Sequence, residues 1–520
     1  MSRRVFNSIA GIRPGRSVHD LSYQKLFTCD MGQLIPIMCE EVVPGDKFQI
    51  GNQIVLRFQP LINPILHEIF AYTHYYFVPY RLLWDKWEEF ITGGVDGEFA
   101  EEPPKWFAQN NPGGNQLSSG TLWDYLGFPT DVRPDGAEPL DFPRRAYNFI
   151  WNEYYRDQNL MEEVELDNWK ILLRTWRPKG YFTTALPWQQ RGIAPALPIQ
   201  GMLSANFLGA DFWKEVQTGF PAGTRSLFLE GGQTSPFVQN INQQAFYQDA
   251  RMQFDQQVRD WLGQNEVNMQ DAVTFNAHDL RLVFQLTKWM ERNARAGARY
   301  TEFLRAHFGV SPRDDRLDRP EYIGGSRSPV IISEVLQTSE SGISPQGNMA
   351  GHGITVDGNR IASYTAQEFG LIMGIMSVMP MSAYQQGINR QWLRRTRYDF
   401  YFPEFAQLSE QAIEQAEIFV QEDVDENKQI WGYTGRYNEM RYKENMVCGL
   451  MRDDFAHWHL GRIFDDPPAL NEEFLLCNPE STKRVFAVQN EPGLIVNFGN
   501  RIRAIRPIPF DNNPGLIDHF

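Results

Sequence analysis

The chain has 520 residues, 42% of them hydrophobic and 13% aromatic, which is ample material for a large core and excludes a disordered or fibrous protein. A formal charge of −15 excludes a protein that coats nucleic acid over its whole surface, so any such contact must be local. The length allows roughly two to four average domains, or one large all-β unit with long insertions.

The N-terminus, "MSRRVFNSIAGIRPGRS", has arginines but no apolar run long enough for a secretory signal, so synthesis in the cytosol is expected. Arg3, Arg4, Arg13, Arg16 and Lys25 against Asp20 give residues 1–27 a side-chain balance of 5 − 1 = +4 in a Gly- and Pro-containing arm. Strands follow. "LIPIMCEEVV", a Pro44-Gly45-Asp46 turn, "KFQIGNQIVLRFQPL" and "IFAYTHYYFVPY" are rich in β-branched and aromatic residues and are punctuated by Pro and Gly. Residues 82–92 read as a short acidic helix around Trp84 and Trp87. Residues 193–270 differ from their surroundings: rich in Gln and Asn, poor in charge, with separated aromatics at Phe207, Trp213, Phe220 and Phe228. A stretch of this kind reads as a long functional insertion or as a small irregular subdomain packed on the body.

"ERNARAGARYTEFLRAHFGV" reads as the end of a helix that opens at the N-cap Asn276 and stops at Gly309 and Pro312. Arg292, Arg295 and Arg299 share one helical face, as a phosphate-tracking ridge would, yet Glu291 and Glu302 stand at pairing distance along the helix. A salt-bridged structural helix is therefore the expectation. "GHGITVDG" reads as a flexible turn, and residues 371–379 as a buried strand rather than a membrane span, because Pro380 and a polar continuation interrupt the apolar run. Arg390, Arg394, Arg395 and Arg397 lie beside Trp392, Tyr398 and Phe400, a mixture that suits either single-stranded nucleic acid or a subunit interface. "PEFAQLSEQAIEQAEIFV" reads as an amphipathic helix with Leu408, Ala412 and Ala416 on one side. Strands return in "RVFAVQ" and "GLIVNFGNRIRAIRPIPF", where Arg501 and Arg503 project from one face and Arg506 follows closely. Strands at both chain ends suit a sandwich that pairs distant segments.

Catalytic spacing fails throughout. "HEIFAYTH" has Ala71 where a zinc-protease helix needs its second histidine, "GISPQG" misses the nucleophile elbow, and "GHGITVDG" lacks dinucleotide- and phosphate-loop spacing. His457 and His459 in "HWH" would share one face of a strand but lack a third ligand nearby. Cys29, Cys39, Cys448 and Cys477 show no C-x-x-C spacing and are expected as free buried thiols. No catalytic, metal or cofactor site is predicted.

The ordered motifs "SVHDLSYQKLFTCDMGQLIPIMCEEVVPGD", "ERNARAGARYTEFLRAHFGV", "RLDRPEYIGG", "ISPQGN", "YQQGINRQW", "RTRYDFYFPEFA" and "PGLIDHF" together resemble the major capsid protein of microviruses, the small single-stranded DNA bacteriophages, in their gokushovirus branch. The resemblance covers nearly the whole chain and departs mainly at residues 193–270. It implies a mainly β protein, an eight-stranded viral jelly roll with long helical and irregular inter-strand insertions, forming one subunit of a T=1 icosahedral shell around circular single-stranded DNA. It further implies a virion protein assembled in the bacterial cytoplasm with an internal scaffolding protein, a pilot protein and a small basic DNA-associated protein. The insertion would protrude at the threefold axis and meet a host cell-surface receptor, through Phe207, Trp213, Phe220 and Phe228. Arg3, Arg4, Arg13 and Arg16 of the arm, with Arg501, Arg503 and Arg506, would face the genome. The rival reading is a cytosolic carbohydrate-active enzyme on a β-sandwich, suggested by abundant Trp, Tyr and carboxylates.

Overall fold

The structure, a computed structural model, describes residues 15–92, 99–107, 116–176, 179–192, 277–296, 305–306, 318–336 and 349–510. The chain divides into two units, residues 1–191 with 290–520, and residues 192–289. The sheets belong to the first.

Its strands are β1 (Ser17–Asp20), β2 (Tyr23–Cys29), β3 (Ile35–Val42), β4 (Lys47–Phe58), β5 (Ile69–Pro79), β6 (Glu321–Pro329), β7 (Ile331–Leu336), β8 (Met349–Thr365), β9 (Gly370–Pro380), β10 (Ala383–Tyr384), β11 (Glu410–Glu414), β12 (Ile430–Gly435), β13 (Asn445–Met446) and β14 (Leu494–Arg506). The first large sheet runs β1-β14-β4-β8-β7, with β2 also lying along β14; the second runs β3-β9-β5-β6. The chain crosses between sheets from β2 to β3, to β4 and to β5, returns through β7 and β8, crosses again to β9, and closes with β14. This places β14 between the first strands and β4, and β9 between β3 and β5, which is the strand order of a double-sheet jelly roll. All the ladders in these two sheets are antiparallel.

Alternation builds the sandwich. Phe48, Ile50, Ile54 and Leu56 of β4 and Val496, Phe498, Ile502 and Ala504 of β14 point inward and meet Ile35 and Ile37 of β3, Tyr75 of β5, and Ile372, Met376 and Val378 of β9. Fully burying each large apolar side chain contributes about 1.5–3 kcal/mol. Polar stitches cross the core: Asn52 Nδ2 donates to Thr73 Oγ1 at 3.0 Å and to Ser326 Oγ at 3.2 Å, and Asn500 Nδ2 donates to Ile37 O at 2.9 Å, so the burial of these Nδ2 groups is compensated.

A second core lies on the outer face of the second sheet. Tyr76, Val78, Leu371, Met373 and Ile375 are covered by Tyr80, Trp84, Trp106, Trp123, Tyr147 and Trp151 from the segment between β5 and β6, together with Ile413, Trp431 and Phe474. Helix α3 (Phe142–Ile150), preceded by the short helices α1 (Trp87–Thr92) and α2 (Leu122–Tyr125), anchors this layer. The buried Asp141 carboxylate accepts from Arg144 at 2.7 Å and Arg145 at 2.9 Å, and the Arg144 guanidinium lies 4.7 Å from the Trp106 ring centre. Every residue of β9 is buried as a result, matching the expected buried strand at 371–379.

Several local expectations differ from the structure. "GHGITVDG" is not a turn but part of β8, where a Cβ on Gly353 would come within 2.8 Å of the Phe58 ring; the glycine admits that ring. "PEFAQLSEQAIEQAEIFV" is not a helix. It forms a 3-10 turn at Pro403–Gln407, then β11 paired with β12, then a 3-10 turn at Gln415–Glu417, because cross-strand pairing overrides local helix propensity. The helix expected at 82–92 is a 3-10 turn at Tyr80–Leu82 followed by α1. "RVFAVQ" enters a 3-10 helix, Pro479–Val485, instead of a strand; Phe486 forms an isolated bridge with Leu61 and packs 6.0 Å from the Phe58 ring in the sandwich core. All four cysteines are free, but only Cys29 and Cys477 are buried; Cys39 is half-buried and Cys448 exposed. Asn276, Arg299, Glu302, Gly309, Pro312 and the insertion at 193–270, with Phe207, Trp213, Phe220 and Phe228, lie outside the described residues.

Candidate nucleic-acid interface

Among the described residues, nothing covers the outer face of the first sheet. Its exposed positions on β14 include Ile495, Arg501 and Arg503, while the neighbours Leu494, Val496, Ile502 and Ala504 are buried, so Arg501 and Arg503 share a face as their spacing requires. On β4 the outward residues include Lys47, Gln49, Gln53 and Arg57. Among the described outward side chains of β1, β2, β4 and β14, Lys47, Arg57, Arg501 and Arg503 oppose a single carboxylate, Asp20, a balance of 4 − 1 = +3 on an acidic chain. Arg501 donates to Gln53 Oε1 at 2.8 Å, which orients it along the sheet. Arg503 stands opposite Asp20 in the β1–β14 register. Hydrogen bonds from the Ser22 hydroxyl and amide hold the Asp20 carboxyl below its ordinary pKa. Where β1 gives way to β2, a groove of about 630 Å³ opens on this face, lined by Asp20, Gln49, Gly51, Gly358, Arg501 and Arg503.

The other described basic residues predicted for this role, Arg16 and Arg506, do not join that face. Arg506 falls one residue out of phase with Arg501 and Arg503; its guanidinium donates to Glu41 O at 2.6 Å, lies 3.5 Å from the fully buried Asp46 carboxylate and sits over Phe48. Arg16 is exposed but lies against the same turn, where a Cβ on Gly45 would meet its guanidinium at 3.1 Å. Gly45 itself has φ +93°, a conformation that favours glycine. Burial raises the Asp46 pKa, while the Val43 amide and the charges of Arg506 and Arg16 oppose the shift. Arg16 and Arg506 thus close one end of the sandwich. Lys25 belongs to β2 rather than to an arm: it points inward and donates to Pro36 O at 2.7 Å and to Tyr125 O, and burial pushes its pKa down to about 8. Arg3, Arg4 and Arg13 lie outside the described residues.

Three of the four arginines in the third group, Arg390, Arg394 and Arg395, are committed to carboxylates. Arg390 lies 3.0 Å from Glu417 and 3.3 Å from Glu414, Arg395 bridges Glu414, and Arg394 lies 3.6 Å from Glu439. Beside them a small pocket of about 70 Å³ is lined by Tyr181, Tyr384, Arg390, Glu417, Glu439 and Glu444. Burial lifts Glu417 to about 7 against the pull of Arg390, and lifts Glu444 to about 7 against hydrogen bonds from the Tyr181 and Phe182 amides. Arg295 pairs with Glu410 and Ser409 O rather than with Glu291, so this member of the arginine helix fixes tertiary structure. The histidine pair is split. His457 lies in a 3-10 turn, whereas buried His459 bonds through Nε2 to Met451 O at 2.7 Å and accepts from Gly461 N at Nδ1, which fixes a neutral ring. No three-residue metal-ligating group occurs among the described residues.

What remains is a large, richly packed β-sandwich whose open face is locally basic. A family model described as "Capsid protein (F protein)" matches residues 8–516. The chain belongs to this phage capsid protein family. Capsid protein VP1 of Chlamydia phage 1 is 33% identical, over 96% of this chain and 96% of its own. Capsid protein VP1 of Bdellovibrio phage phiMH2K is 31% identical over 100% and 99%, and that of Spiroplasma virus 4 is 27% identical over 98% and 97%. These relatives bear out the gokushovirus resemblance. The capsid protein is therefore a structural virion component that self-assembles into a shell, rather than an enzyme. No helix among its described residues is long and apolar enough to cross a membrane.

Proposed function

We propose that the capsid protein forms a T=1 icosahedral shell and turns the open face of its first sheet toward an enclosed circular single-stranded DNA genome. The observation that carries this reading is the +3 balance of outward charge on a chain of net −15, since a like-charged average field leaves local basic faces as the protein's own source of attraction for phosphate. Arg501 and Arg503 are the central contacts, and Arg3, Arg4 and Arg13 would extend them from the N-terminal arm. Arg16 and Arg506 are assigned to holding the sandwich end instead.

The finer partners rest on the family resemblance: an internal scaffolding protein and a pilot protein during assembly, and a small basic protein that neutralises the genome further. Residues 193–270 are proposed as the threefold protrusion that meets the host receptor. Replacing residues 196–259 with a short Gly/Ser linker should leave closed particles that no longer adsorb to cells, and failure of such a chain to assemble contradicts that assignment.

The genome-facing assignment is tested with Arg501→Gln and Arg503→Gln combined. At matched particle yield the DNA-filled fraction should fall, and binding of single-stranded DNA by soluble subunits should lose roughly 1.4 from its log–log salt slope, about 0.7 for each phosphate contact. An unchanged filled fraction and slope contradicts the assignment.

A further inference from the structure

The short β11–β12 ladder separates two surfaces of opposite chemistry. Near the end where Glu410 pairs with Gly435, Tyr398, Phe400, Tyr401, Phe402 and Leu408 are all exposed. Their rings are ordered: Tyr401 lies 5.0 Å from Tyr437, Phe402 lies 6.0 Å from Phe405, and the Arg397 and Arg436 guanidinium groups lie 4.7 Å from Tyr398 and 5.0 Å from Tyr437. Arg436 also donates to Tyr398 O, and Tyr437 to Phe400 O at 3.1 Å. Neither Arg397 nor Arg436 makes an ion pair among the described residues.

Beyond the other end, where Glu414 pairs with Ile430, the connecting loop exposes Val420, Val424 and Ile430 among Glu422, Asp423, Asp425 and Glu426, four acids against Lys428. This knob is ordered too. Asp423 caps the turn Val424–Asn427 by accepting from Asp425 N at 2.7 Å, and Asn427 Nδ2 donates to Gln421 O at 2.7 Å.

We propose that the acidic knob of one subunit docks on the arginine–aromatic plate of the next, giving a head-to-tail contact of the shell. The occupant is a second copy of this chain, and its charge complements the plate: uncompensated guanidinium groups meet a carboxylate cluster, while valine and isoleucine meet the rings. A five-residue strand spans only about 17 Å, yet it sets the two surfaces at opposite ends of the ladder, so each subunit offers both halves of a heterologous contact. Aromatic and arginine residues held in stacks are what fully desolvated interface centres use. Arg390, Arg394 and Arg395 are already held by Glu417, Glu439 and Glu414, which leaves the guanidinium groups of Arg397 and Arg436 for a partner and suits a protein contact better than a phosphate track.

The test is a charge swap in the full chain, expressed with the remaining virion genes. Arg397→Glu alone, and Asp425→Arg with Glu426→Arg, should each lower particle yield at least tenfold. All three substitutions in one chain should restore yield to within about threefold of the parent. Normal yield from either partial variant overturns the proposal, and normal yield with reduced DNA content would make the plate a nucleic-acid contact instead. Failure of the combined chain to assemble while its thermal unfolding matches the parent also overturns it.

Discussion

The two sheets of the sandwich are built from similar strands but have opposite outer faces. In the second sheet, β9 is apolar at nearly every position because one side meets the sandwich core and the other meets the tryptophan- and tyrosine-rich layer. In the first sheet, β14 alternates, because its second side has nothing of its own chain to bury it among the described residues. Continuous and alternating patterns thus distinguish a covered sheet from an open one. The covered face supplies stability and the open one supplies surface chemistry. Mutations on the two faces should therefore separate folding from genome handling.

The largest effect is expected in the covered layer. Trp123 is buried, packs 4.5 Å from Phe128 and 5.2 Å from Trp106, and donates to Pro129 O at 2.7 Å. Trp123→Ala should cost about 3–5 kcal/mol by denaturant unfolding, through lost contacts and the cavity left behind. A smaller, pH-dependent effect is expected at Glu444 in the same layer. Its folded pKa of about 7 lies above the ordinary 4.5, so its contribution is fully present below pH 4.5 and is lost as pH rises through 7. Glu444→Gln should stabilise the protein by about 2 kcal/mol at pH 8, remove that share of the slope between pH 5 and 7, and change little at pH 4, as thermal unfolding across pH will show. The smallest effect belongs to the open face: Arg501→Gln with Arg503→Gln should shift stability by no more than about 0.5 kcal/mol, since both side chains are exposed. A large loss there would mean that the open face also carries the fold.

Patterns with a single local cause were legible in the sequence. The buried run of β9, the alternation of β14 and the shared face of Arg501 and Arg503 follow from period two alone. Residues whose role depends on a distant partner were not. Arg506 looks like a third member of the basic strand, yet its phase directs it to Asp46, about 460 positions away in sequence. Glu410 to Glu414 carry a helix-like composition and become a strand only because Ile430–Gly435 lies alongside. Gly353 reads as turn material until Phe58 is placed beneath it. The carboxylates that claim Arg390, Arg394 and Arg395 likewise appear only in three dimensions, which is why that cluster resembled a nucleic-acid site.

The most direct test of the comparison is a reconstruction of the DNA-filled particle that shows what lies against each outer face. The account predicts genome density within contact distance of Arg501 and Arg503, and no nucleic acid against the layer around Trp123. Bulk solvent outside the shell, or a neighbouring subunit, packed against Arg501 and Arg503 would contradict it.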